Sequence, residues 1–146
     1  MSLLAVAALA VAIASWFRPA PAQEESTAAQ FSEQEIADAT EAVCEAWDTV
    51  YRSLITAGYQ TSEDPTVSQI LALQMKVAFL ASGNYLHDAL NRHAAADGEL
   101  ARSTEKLATG YEHAILAQLA GAPAGEIEGI KADIREAEDA VKRECE

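Results

Sequence analysis

Apolar and polar positions divide the chain into a charge-free amino-terminal stretch, a short polar connection, and a series of amphipathic segments with helical period. The first sharp signal is at Ser32. Ser32 and Glu35 have the spacing of a capping box, and Phe31 with Ile36 has that of a hydrophobic staple. Ile36, Thr40, Val43, Trp47, Val50 and Leu54 then recur at alternating intervals of four and three, with Gly58 as a stop, so the spacing predicts a helix over 33–57. Asp64-Pro65 reads as an N-cap followed by proline at the first helical position. The segment beyond it (Val67, Ile70, Leu71, Leu73, Val77, Phe79, Leu80) is apolar on most faces and is expected to be the most buried element. Gly83-Asn84 reads as its end, with a short extra helix over 85–93 and a turn over 94–98.

A further helix over 99–120 puts Leu100, Thr104, Leu107, Tyr111, Ile115 and Leu119 on one face, ending at Gly121-Ala122-Pro123. The last segment carries Ile127, Ile130, Ile134, Ala137, Val141 and Cys145 on one stripe. No segment alternates with period two over a useful length, so strands are not expected. Short connections favour antiparallel neighbours. The expected fold is all-α: a single amino-terminal transmembrane helix, then a small antiparallel bundle of four main helices plus one short helix.

Ser2 to Phe17 carries no charge and precedes Arg18-Pro19. Its sixteen residues would span about 24 Å as a helix, short of the roughly 30 Å hydrocarbon core, so length alone fits a signal-peptide core or an anchor. Ala20-Pro21-Ala22 is an acceptable cleavage site, but there is no basic n-region and Arg18 stands where such sites are uncharged. We therefore expect a retained anchor over 1–18, a polar linker over 19–31, and an extracytoplasmic bundle over 32–146. A start without a basic flank leads us to expect a cytoplasmic tail ahead of it, which would supply the positive-inside signal. Ala8 with Ala12, and Ala10 with Ala14, have small-xxx-small spacing suited to packing against another protein's helix, although an alanine-rich composition would produce such pairs by itself. Trp16, Phe17 and Arg18 would mark the outer interface.

Composition sharpens this picture. Alanine supplies 32 of the 146 residues, and the formal charge is −13. All 23 acids but only nine of the ten bases lie in 23–146, which gives that part −14. Nucleic acid and anionic lipid are therefore poor partners. The 30 large apolar side chains in 23–146 suffice for one core and not for two domains.

The two cysteines fall on the first and last helices beyond the anchor. Cys44 lies next to the first stripe and Cys145 closes the last one. Antiparallel helices would bring these positions together, and an oxidising compartment would favour a structural disulfide. Two buried free thiols are the alternative. A redox-active pair is disfavoured, because C-x-x-C is absent and the surrounding acids would raise a thiol pKa.

The order of a helix cysteine (VCEAWDTVYRSL), Asp64-Pro65, the apolar helix ILALQMKVAFLASGNYLHDAL, the LAGAP turn and a terminal cysteine resembles a group of mycobacterial and actinobacterial proteins. These are alanine-rich, single-pass membrane or exported proteins of unknown function. The resemblance covers roughly 40–146. It implies an envelope protein facing the periplasmic side, and it carries no catalytic residue with it.

Candidate chemistry is sparse. Nucleophile-elbow, P-loop, dinucleotide, zincin and EF-hand motifs are absent from the sequence. The di-iron pattern needs glutamate three residues before histidine, and Asn84, Leu90 and Gly110 occupy those positions. His87, Asp88 and His93 form the one local histidine–carboxylate cluster, weak as a metal site because a helix break is expected nearby. His113 falls off its apolar stripe. Asp38, Glu41, Glu45 and Asp48 follow one line of the first helix, a docking face for a basic partner or plainly a solvated face. Glu138 and Lys142 have the spacing of a supportive ion pair.

No catalytic residue, metal or cofactor is assigned, and the chain is not expected to be an enzyme. The expected function is a non-catalytic accessory or scaffold subunit, held in the membrane by its amino-terminal helix against a larger integral membrane protein or complex. The alternative is an extracytoplasmic binding module, holding a lipid or small apolar ligand in the bundle interior or between helices 65–82 and 99–120.

Overall fold

The computed structural model describes residues 31–146 as an all-α four-helix bundle, with helices α1 (Glu33–Gly58), α2 (Pro65–Arg92), α3 (Gly98–Leu119) and α4 (Ala124–Glu144). The anchor and linker assignments, with Ala8, Ala10, Ala12, Ala14, Trp16, Phe17 and Arg18, lie outside the described residues. No helix among the described residues is long and apolar enough to cross a membrane.

Local chemistry sets the helix ends. The Ser32 hydroxyl accepts from the Glu35 amide while the Ser32 amide donates to the Glu35 carboxylate, a reciprocal cap that holds Glu35 below its ordinary pKa. Asp64 accepts from the amides of Thr66 and Val67 at the start of α2, with Pro65 at the first position where no amide is needed. Asp97 caps α3 in the same way, and its own amide donates to the Thr40 hydroxyl of α1 at 3.1 Å. At the other end of α3 the chain turns through Gly121, the one positive φ (72°) among the described residues. There the Ala122 amide reaches Ala117 and the Gly121 amide reaches Gln118, which is a Schellman closure.

Each helix packs on its neighbour in sequence, α1 on α2, α2 on α3 and α3 on α4, while α1 also touches α3 along a short stretch. Val43, Trp47 and Val50 of α1, Leu86 of α2, Leu100, Leu107 and Tyr111 of α3, and Ile134 and Val141 of α4 form the core. Phe79 meets the Tyr111 ring edge-on, with centroids 5.0 Å apart. Thr104 is enclosed in this core, and its hydroxyl has no partner among the described residues.

Two expectations about the second helix are corrected. First, α2 runs unbroken through Gly83-Asn84, and no separate helix over 85–93 exists. Gly83 is buried where α2 crosses α3, and a Cβ there would lie 2.9 Å from the Ala108 carbonyl oxygen and from Glu112 Cγ. The residue that costs intrinsic helicity is the one that lets the backbones approach. Asn84 bonds back to the Leu80 carbonyl and remains helical.

Second, α2 is not the most buried element. Its buried residues are Ser82, Gly83, Leu86 and Ala89, all toward its carboxyl end. In its first half Ile70, Leu73 and Val77 are 51%, 62% and 57% exposed. The helix is apolar on two opposite faces, of which the bundle covers one.

Candidate functional site

The bridge between Cys44 and Cys145 is formed, with the α-carbons 5.5 Å apart and the residues 101 positions apart in sequence. It ties the last residues of the bundle to the first half of α1. Elsewhere α1 and α4 pack on α2 and α3 rather than on each other, and two open grooves flank Tyr51 of α1. One, about 400 Å3, is floored by the disulfide, Trp47 and Tyr51. The other, about 420 Å3, lies between Tyr51, Leu54, Tyr59, Met75, Phe79 and Glu138. Just beyond residues 65–82, the second helix comes into close contact with α3 at Gly83.

Glu138 lies beside that second groove. The expected Glu138–Lys142 pair is not made. The buried Tyr111 hydroxyl donates to Glu138 Oε1 at 2.8 Å, and Lys142 turns to Glu146 at 3.6 Å. Burial first, and then the negative charge and hydrogen bond of Glu138, push the Tyr111 pKa well above its ordinary value of 10.0. A tyrosine held neutral in the folded state contributes stability in full below its unfolded pKa of about 10 and loses it as pH rises further. In an alkaline titration, the tyrosinate absorbance missing from a Tyr111→Phe variant is expected to appear only together with loss of helical circular dichroism. Reversible ionisation of Tyr111 in a fully helical protein would contradict that assignment.

Asp38, Glu41, Glu45 and Asp48 are all exposed on one face of α1. Asp38 accepts from Gln34, and Asp48 pairs with Arg52 at 2.8 Å. Glu41 and Glu45 make no ion pair among the described residues. Successive members stand three or four residues apart, and such like-charge spacings each cost about 0.2–0.5 kcal/mol on an exposed helix.

The local cluster of His87, Asp88 and His93 is dispersed by the fold. His87 turns to α3, with Nδ1 3.1 Å from Glu105 and Nε2 3.7 Å from Glu112. Asp88 pairs with Arg92, and His93 ends α2. His113 is exposed. Among the described residues no group of three or more His, Cys, Asp or Glu side chains is arranged to hold a metal ion. Sequence reading missed Glu105 and Glu112 as partners of His87, because 18 and 25 residues separate them and only the α2–α3 register reveals them. The same holds for Lys106, which bridges to Glu136 of α4 at 2.9 Å.

No family model matches the chain, and neither a curated protein nor a solved structure does. The roles of these residues therefore rest on their geometry alone.

Proposed function

We propose that the protein is a non-catalytic accessory subunit of an envelope membrane complex. Residues 1–18 act as its single membrane span, and the bundle lies on the extracytoplasmic side. A disulfide closing most of the domain is the chemistry of an oxidising compartment, which favours that side. Ala8, Ala10, Ala12 and Ala14 pack against a helix of a larger integral membrane protein, since a short alanine-rich span inserts weakly by itself. The same reading agrees with the resemblance to actinobacterial single-pass envelope proteins.

The observation that carries the proposal is the exposed acidic stripe of Asp38, Glu41, Glu45 and Asp48, of which only Asp48 has an ion-pair partner among the described residues, on the helix into which the tether leads. A basic surface on the partner would relieve its self-repulsion, whereas an anionic lipid surface would add to it. The test places a photo-crosslinking residue at Glu41 or Glu45 of the full chain in native membranes. An adduct with an integral membrane protein is expected, weakened when the other three acids become amides. Crosslinking no greater than from Asp133 on α4 would count against this face.

The apolar groove beside Glu138 supports a second reading, an extracytoplasmic module for a small apolar ligand, since its volume falls within the usual range of ligand sites. Chemical-shift changes confined to Tyr51, Met75 and Phe79 on adding a short-chain detergent monomer would favour it. Shifts spread over the whole surface would not.

A further inference from the structure

The first half of α2 carries a second apolar face that nothing in the bundle covers. Val67, Ile70, Gln74, Val77 and Ala81 follow alternating steps of three and four, the seam of a two-helix contact, with Leu73 beside them. All six are exposed. The seam points away from Leu71, Met75 and Phe79, which turn inward. On α3, Glu112 faces Gly83, and Leu116 and Leu119 continue the same line of that helix at four and seven residues further. In the antiparallel register set by Gly83 against Ala108 and Glu112, these two leucines come level with Val77 and Leu73. They are 60% and 68% exposed. They add exposed apolar surface at the same end of the bundle, away from Phe31.

We propose that this face is where two copies of the chain pair, α2 against α2, about a two-fold axis. Three observations choose a second copy as the occupant. Spacing is the first, because a three-four seam is complementary to another helix, and a two-fold sets the seam against itself. Charge is the second. Residues 31–146 hold 21 acids and nine bases, a net of −12, yet residues 65–87 contain no acid at all and Lys76 as their one lysine or arginine. Two such acidic molecules meet without like-charge repulsion on this surface, while a basic foreign partner is drawn to the acidic faces elsewhere. Area is the third. Val67, Ile70, Leu73 and Val77 are 41%, 51%, 62% and 57% exposed, an apolar patch of a few hundred Å2, the size that on a monomer marks an interaction site, and a two-fold covers it on both copies at once. The inference goes beyond the proposed function and does not depend on the identity of the membrane partner.

Both native cysteines are engaged in the bridge, so a single added cysteine is a clean probe. In the full chain in mild detergent, Gln74→Cys treated with a short bis-maleimide is expected to give a covalent dimer. The yield should be at least about ten times that of Asp133→Cys on exposed α4, because only the former position lies on the paired face. Adding Ile70→Glu to Gln74→Cys should abolish the product. Ile70 is half exposed, so helical content is expected to stay unchanged, and light scattering corrected for detergent should fall from two copies to one. The pairing is overturned if the wild type is a monomer throughout the accessible concentration range. It is also overturned if Ile70→Glu leaves the crosslink intact, or if the face is held instead by neutral phosphatidylcholine vesicles or by another protein. Loss of the membrane partner with the dimer intact would instead count against the proposed function alone.

Discussion

Replacing Cys44 with serine, or reducing the Cys44–Cys145 bridge, is expected to lower the unfolding free energy of the bundle by roughly 4–5 kcal/mol, the chain-entropy value for a loop of about 100 residues. The structure gives the reason for so large a change. The bridge spans 101 positions, and α4 buries Ile130, Ile134, Ala137 and Val141 mainly against α3. Without it the native helices keep their core, but the unfolded chain regains its freedom and the last turn of α4 has little to hold it to α1. Domains of this size are stable by about 5–15 kcal/mol, so a large part of the total is at stake. At a urea dependence of about 2 kcal/mol per molar, the midpoint should fall by about 2 M on adding reductant. A midpoint unmoved by reductant would mean that the bridge does not close this loop.

Gly83→Ala should destabilise the protein although alanine is the better helix former. Helix propensity favours the change by about 1 kcal/mol. Against it, the new Cβ would lie 2.9 Å from the Ala108 carbonyl oxygen, a backbone atom that cannot turn aside. Overpacking of this kind costs about 1–3 kcal/mol, and Gly83→Leu should lie at or beyond the upper end. Gly129→Ala is the internal control. It sits within α4 with nothing near its Cβ position, so the same substitution there should stabilise by about 0.5–1 kcal/mol. Opposite signs in thermal unfolding are the expected outcome. Stabilisation by both alanines would mean that α2 and α3 do not approach closely at Gly83.

What could be read from the sequence was local. The Ser32–Glu35 cap, Asp64-Pro65 and the stop at Gly121 are decided within a few residues, and they stand where their spacing places them. The cysteines were legible because helix order alone brings them together. Gly83 was misread because a glycine in a helix looks the same whether it breaks the helix or accommodates a neighbour, and the neighbour, Ala108, lies 25 residues away. Glu138 was misread for a related reason, since a buried hydroxyl on another helix outcompetes an exposed lysine one turn along. The apolar content of α2 was visible, but hydrophobicity records removal from water without saying whose surface removes it. Half of that content faces outward, and periodicity could not separate the two faces.

The most direct measurement of the proposed role is the protein mass of the particle extracted from native membranes in mild detergent, with the full chain as bait. The account predicts a particle heavier than one or two copies of the 146-residue chain by at least one integral membrane protein, in fixed proportion to it and held at moderate salt. A particle whose protein mass is fully accounted for by this chain would contradict the accessory-subunit reading.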